Sequence, residues 1–208
     1  MSMPLLVALW LAAAGAAERA PIAARPWTPI GPTDGAAPVA IASVAFDAVS
    51  GMLYAGSAVD PSQPLSTRVF RRPVSGGEWI ETKSPDLGGL YPYVEVTTDG
   101  AGFLYASVAS CLLHPGLGCS GALARSGDTG EHWIRLLTGA TSSVAVDPFD
   151  ASLVLAVESS EAHDPMFPAD VTIVQTALSS RDGGATWTED AMPPSPSSFA
   201  FDPSRGAP

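Results

Sequence analysis

The sequence predicts an all-β fold assembled from repeats. The segments Ser126-Gly127-Asp128-Thr129-Gly130-Glu131-His132-Trp133 and Ser180-Arg181-Asp182-Gly183-Gly184-Ala185-Thr186-Trp187 share one pattern, S-x-D-x-G-x-x-W, and Trp133 and Trp187 stand 54 residues apart. Trp79 lies another 54 residues earlier and ends a weaker copy that keeps Gly76 and Trp79. The 208 residues include 20 Gly and 20 Pro between Val/Ile/Thr/Tyr runs, with no helical periodicity beyond the N-terminus. Short apolar runs punctuated by Gly and Pro read as strands. A fixed period of this length reads as a repeat architecture.

Each copy of the motif is turn chemistry. The carboxylate of Asp128 or Asp182 accepts backbone N–H groups of its own turn, and the Ser126 or Ser180 hydroxyl makes similar local bonds. Gly130 and Gly184 tolerate positive φ. Trp133 and Trp187 open the next segment, where an indole buries a large surface and keeps one polar handle. These eight residues are expected to be structural rather than catalytic.

A second element recurs upstream of each copy. Ala45-Phe46-Asp47 precedes Leu53-Tyr54-Ala55-Gly56. Thr98-Asp99-Gly100 precedes Leu104-Tyr105-Ala106-Ser107, and Val146-Asp147-Pro148 precedes Leu153-Val154-Leu155-Ala156-Val157. Ala200-Phe201-Asp202-Pro203 begins a fourth. Together the two elements resemble the Asp-box, or BNR, repeat of sialidases, xyloglucanase-type glycoside hydrolases, sortilin-like receptors and photosystem-assembly propellers. The resemblance covers roughly residues 27–203. It implies a β-propeller of four-stranded antiparallel blades, with the box between the third and fourth strands.

On that layout the blades run about 36–84, 89–138 and 140–190, and 197–208 is a partial blade. Trp27-Thr28-Pro29-Ile30 looks like an outer strand without a box. Three blades plus two end strands make an incomplete propeller, since closed rings use typically four to eight blades. The expectation is a truncated product; the alternative is a ring completed by several chains. An open arc leaves apolar flanks uncovered, which favours self-association.

Residues 1–17 read as a cleaved signal peptide. The apolar run Met3–Ala17 ends in small residues and is short for a membrane span. The chain is therefore expected to be secreted or periplasmic, with no membrane insertion after cleavage. Export makes a local Cys111–Cys119 disulfide the expected state of the two cysteines. A net charge of −11 argues against a nucleic-acid partner, because phosphate binding needs a basic face.

The family's ligands sit on the face opposite the boxes, which here carries long segments expected to be loops: about Ser57 to Thr67, Ser107 to Gly121 and Glu158 to Asp170. The third is the richest. Glu158, Glu161, His163, Asp164 and Asp170 offer oxygen ligands for Ca²⁺ or hydrogen bonds for a glycan. The plainer reading is a solvated acidic loop, because no EF-hand spacing is present. No metal or cofactor is expected.

Catalytic motifs are weak. Phe70-Arg71-Arg72-Pro73 resembles the F-R-I-P of sialidases, but it falls on a third strand. There it aligns with Leu123-Ala124-Arg125-Ser126, and no arginine triad can be assembled. A nucleophile elbow and a phosphate-binding Gly loop are absent. Glycoside hydrolysis needs two carboxylates at a defined separation, and no pair can be placed. The expectation is a non-catalytic binding or assembly module with an unknown glycan or protein ligand. The alternative is a fragment of a sialidase-like glycoside hydrolase.

Overall fold

A computed structural model describes residues 31–34, 37–58, 67–89, 92–111, 118–163, 171–190, 198–199 and 201. The proposed signal peptide, Trp27–Ile30, Asp164, Asp170 and most of the partial fourth blade lie outside the described residues. A short ribbon comes first, β1 (Thr33–Asp34) paired with β2 (Ala37–Pro38). Three antiparallel four-stranded sheets follow. The first holds β3 (Ile41–Asp47), β4 (Met52–Ser57), β5 (Val69–Pro73) and β6 (Ile80–Glu81), and the second β7 (Val94–Thr98), β8 (Leu104–Cys111), β9 (Cys119–Ser126) and β10 (Ile134–Leu137). The third holds β11 (Ala140–Asp147), β12 (Asp150–His163), β13 (Val171–Ser180) and β14 (Thr188–Glu189). Each sheet is ordered as it runs in sequence. Inner strand β7 packs against β3 on one side and β11 on the other. Among the described residues the architecture is an all-β incomplete propeller of three blades.

Strand register makes the repeats exact. Phe46 pairs with Leu53, Thr98 with Leu104 and Val146 with Val154. Leu53, Leu104 and Val154 are thus equivalent, as are Tyr54, Tyr105 and Leu155 one residue on. Side chains alternate across a strand, so these two sets face opposite neighbours. Leu104, Ala106 and Val108 join the core shared with blade one, while Tyr105 and Leu123 join the core shared with blade three. The middle blade is therefore apolar on both faces. Each fully buried Leu or Val there contributes about 1.5–3 kcal/mol.

The first blade is different on its outward side. Val44, Val96 and Val144 hold one position, yet Val44 is 71% exposed while Val96 and Val144 are both 4% exposed. Phe46 beside it is 50% exposed. The preceding blade covers the second and third copies, and no described residue does so for the first.

Blades one and two meet through their inner strands. The Ser43 hydroxyl donates to the Val94 carbonyl at 2.8 Å and accepts from the Val96 N–H at 2.9 Å. Gly56 permits this approach, because a Cβ there would lie 2.2 Å from the Val94 oxygen. The aspartate of the upstream element caps the first turn of each blade. Asp47 accepts from Val49 and Ser50, Asp99 from Ala101 and Phe103, and Asp147 from Phe149.

Three expectations need correction. Strands β12 and β13 pair continuously from Val154↔Ser180 to His163↔Val171, so Glu158–His163 is strand, not loop. The β-branched run opposite, Val171–Thr176, supplies the partner for a segment whose charges had suggested a loop. Likewise β8 and β9 extend to Cys111 and Cys119, so most of Ser107–Gly121 is ladder. Finally, Tyr54 pairs with Arg71 and Tyr105 with Arg125. Arg71 is therefore the equivalent of Arg125, one place off the alignment that the sequence suggested.

Candidate functional site

The two box turns lie at one end of the blades. Ser126 Oγ accepts from the Gly130 N–H at 2.8 Å and donates to Asp128 Oδ1 at 2.9 Å. Asp128 Oδ1 also accepts from the N–H groups of Glu131 and His132, and its Oδ2 meets His132 Nδ1 at 2.6 Å. Ser180 and Asp182 repeat the scheme on Gly184 and Thr186. The His132 bonds lower the Asp128 carboxyl from an ordinary 3.8 to about 2, and the Thr186 bonds do the same for Asp182. Both carboxylates are consumed by their own turns. Trp133 donates its indole N–H to the Lys83 carbonyl at 2.8 Å and packs on the first core. Trp187 donates to Gly184 and packs on the second.

Arginines tie these turns to the blade before. Arg71 donates from Nη1 to the Thr129 carbonyl at 2.7 Å and also meets Thr129 Oγ1 and Glu131. Arg125 donates from Nη1 to the Gly183 carbonyl, also at 2.7 Å, and stacks 4.7 Å from the Phe103 ring. Both are thereby engaged at the box end. Burial pushes the Tyr105 phenol up, with the Arg125 guanidinium acting against it.

The opposite end of the blades holds a hollow of about 440 Å³ where the inner strands begin. Ile41, Ala42 and Ser43 of β3, Val94 and Glu95 of β7, and Ser142 of β11 line it, with Tyr93, Ala58 and Ala109. Tyr93 is 62% exposed. Glu95 is half-buried, and burial pushes its carboxyl up. None of the described residues donates a hydrogen bond to it. By register Glu95 pairs with Ser107 as Ser43 pairs with Gly56, so it occupies the place of the bridging serine. Sequence reasoning missed Glu95. Its signal was a carboxylate where the neighbouring blades carry Ser43 and Ser143.

Of the residues singled out from sequence, Glu158 and Glu161 have described side chains, while the side chains of His163, Asp164 and Asp170 lie outside the described residues. Glu158 lies over Gly139, filling the space a side chain there would need, and Glu161 lies against Gly118 at the foot of the β8–β9 hairpin. His163 ends β12. Among the described residues no cluster of three or more His, Cys, Asp or Glu could hold a metal ion. Cys111 and Cys119 form a disulfide across the directly paired ends of β8 and β9.

No protein-family profile matches the chain, and no curated protein is similar to it. Solved structures are similar in fold. A GH74 enzyme of Niastella koreensis superposes with a TM-score of 0.52 at 17% identity, over 72% of this chain and 22% of its own. A GH74 xyloglucanase of Xanthomonas campestris gives 0.48 at 22% identity, over 72% and 21%. An α-L-arabinanase of Penicillium chrysogenum, complexed with arabinobiose, gives 0.43 at 15%, over 75% and 50%. The chain spans about a fifth of the length of the Niastella enzyme.

Proposed function

We propose that this chain is an exported Asp-box propeller segment that acts as a non-catalytic binding module, and that it takes a neutral polyhydroxylated ligand in the hollow around Glu95. The observation that carries the reading is a half-buried carboxylate without a described partner, on an inner strand, beside the exposed Tyr93 ring. A carboxylate that accepts hydroxyl hydrogens and a phenol ring that stacks on an apolar ring face suit a sugar. The net charge of −11 disfavours an anionic ligand. The box carboxylates are spent on their turns and are not offered to a ligand.

Calorimetric titration of residues 18–208 with a panel of neutral oligosaccharides tests this. Binding that weakens at least tenfold in Glu95→Gln and in Tyr93→Ala is the expected result. Unchanged affinity in both variants would remove the hollow from the mechanism. A tenfold loss is about 1.4 kcal/mol, within the range of one charged hydrogen bond.

The second reading is a segment of a sialidase-like glycoside hydrolase. The raised Glu95 carboxyl favours it, since an acid catalyst needs one. Against it, Glu95 is the one carboxylate among the described residues lining the hollow, and such hydrolysis uses two. Arg71 and Arg125 serve the turns at the other end. Release of umbelliferone from a sialoside or neutral glycoside, abolished by Glu95→Gln, would favour the enzyme.

A further inference from the structure

The box turn and the arginine of the preceding blade occur as a pair. Blade one has Tyr54 opposite Arg71, and blade two has Tyr105 opposite Arg125. Each arginine reaches the following blade and meets the same box position, Thr129 in one turn and Gly183 in the next. Both residues have positive φ, 60° and 70°. The same backbone conformation therefore presents the same carbonyl twice. In blade three, register places Leu155 opposite Ser179, so the tyrosine and the arginine are both replaced.

The motif itself follows the same rule. The turns of blades two and three, which receive an arginine, keep the full S-x-D-x-G-x-x-W. The turn of blade one, between β5 and β6, receives none from a described residue. It reads Arg72-Pro73-Val74-Ser75-Gly76-Gly77-Glu78-Trp79, without the Ser/Asp pair.

We infer that the box turn in this chain is a guanidinium socket, by which each blade captures the arginine of the blade before it. The Ser/Asp network holds the residue before the glycine in its left-handed conformation. That conformation turns its carbonyl toward the incoming guanidinium. In the first socket Glu131 adds a carboxylate to the Thr129 carbonyl and hydroxyl. In the second, the Phe103 ring lies against the guanidinium from its own blade. The socket fixes the spacing of neighbouring blades. The inference is independent of what the hollow binds.

Thermal melts and hydrogen exchange on residues 18–208 test it. Arg125→Ala and Ser180→Ala should each lower the melting temperature. The double variant should lose clearly less than the sum, because either change already empties the socket. Strictly additive losses would overturn the inference and leave the motif a local turn. Arg71→Glu should be destabilising, and adding Glu131→Arg should restore at least half of the lost melting temperature. Should Arg71→Glu fail to fold, Arg71→Gln serves, read by exchange. Its box amides at 128–132 should exchange at least tenfold faster, while those of the second box at 182–186 stay unchanged. Equal exchange in both turns, or no recovery in the reversed pair, would overturn it.

Discussion

The Gly183 carbonyl accepts the Arg125 guanidinium at 2.7 Å while Gly183 itself sits at φ +70°. One residue thus combines a left-handed backbone with an arginine contact. A Cβ on Gly183 would lie 2.7 Å from Arg125 Nη1. Gly51, at φ +65° in the first turn of blade one, has nothing within 4 Å of its notional Cβ. The two glycines share the backbone demand and differ in the contact.

Gly51→Ala should therefore cost only the left-handed conformation, about 1–2 kcal/mol. For a chain of this size that is a fall in melting temperature of about 2–4 °C per kcal/mol. Gly183→Ala should cost that and the small shift of the flexible Arg125 end, since the equivalent Thr129 carries a Cβ and still holds Arg71. A loss at Gly183 more than about 2 kcal/mol beyond that at Gly51, measured by circular dichroism, would show that Arg125 cannot keep its carbonyl beside a Cβ.

The box turns should be acid-sensitive. Asp182 has its carboxyl lowered from 3.8 to about 2, chiefly by the Thr186 bonds. A group lowered in the folded state stabilises it above the unfolded value, and that stabilisation is lost as pH falls through the folded value. Asp128 behaves alike. Stability should drop between about pH 4 and pH 2, and the deficit of Asp182→Asn relative to the parent should shrink over that window. Ser180→Ala strands the buried Gly184 N–H and should cost about 1–3 kcal/mol at neutral pH. A deficit in Asp182→Asn that is constant from pH 7 to pH 2 would contradict the linkage.

Much of this fold was legible in the chain, and for physical reasons. Turn residues are local, so the S-x-D-x-G-x-x-W spacing located β9, β10, β13 and β14 without any tertiary information. Strand register is not local. The alignment of Phe70-Arg71-Arg72-Pro73 slipped by one because the first box is degenerate, and only the pairing of Tyr54 with Arg71 corrects it. The acidic stretch Glu158–His163 hid its strand because the partner, Val171–Thr176, is separated from it in sequence. Glu95 escaped for the same reason: its meaning depends on Ser43, 52 residues earlier, and on which strands surround it. The pairing of Cys111 with Cys119 was legible, since nothing else in the chain competes for either sulfur.

That disulfide closes a short segment, with a sequence separation of 8. Closing so short a loop removes little unfolded-chain entropy, and the stabilisation should be about 2–3 kcal/mol. Cys111→Ser/Cys119→Ser should be less stable by that amount and melt earlier, by about 2–4 °C per kcal/mol, with its loss confined to β8, β9 and the strands beside them. Reduction of the parent by dithiothreitol should reproduce the shift. A variant as stable as the parent would mean that the β8–β9 ladder holds the hairpin alone.

The outward flank of blade one makes the last expectation. Val44 and Phe46 are 71% and 50% exposed on the inner strand, with Val49 at 66% on the adjoining turn. Their counterparts Val96, Val144 and Val146 are buried, at 4%, 4% and 8% exposed. The surface is thus the same one that the chain buries twice within itself. Contiguous apolar surface of that kind favours association. Residues 18–208 should accordingly self-associate, and light scattering should report a mass that rises with concentration. Val44→Glu with Phe46→Ser should reduce that association without lowering the melting temperature of the dilute protein, because neither side chain is buried in the single chain. A soluble parent that stays monomeric at every concentration and melts cooperatively would show that the flank is covered by the chain's own residues outside the described set.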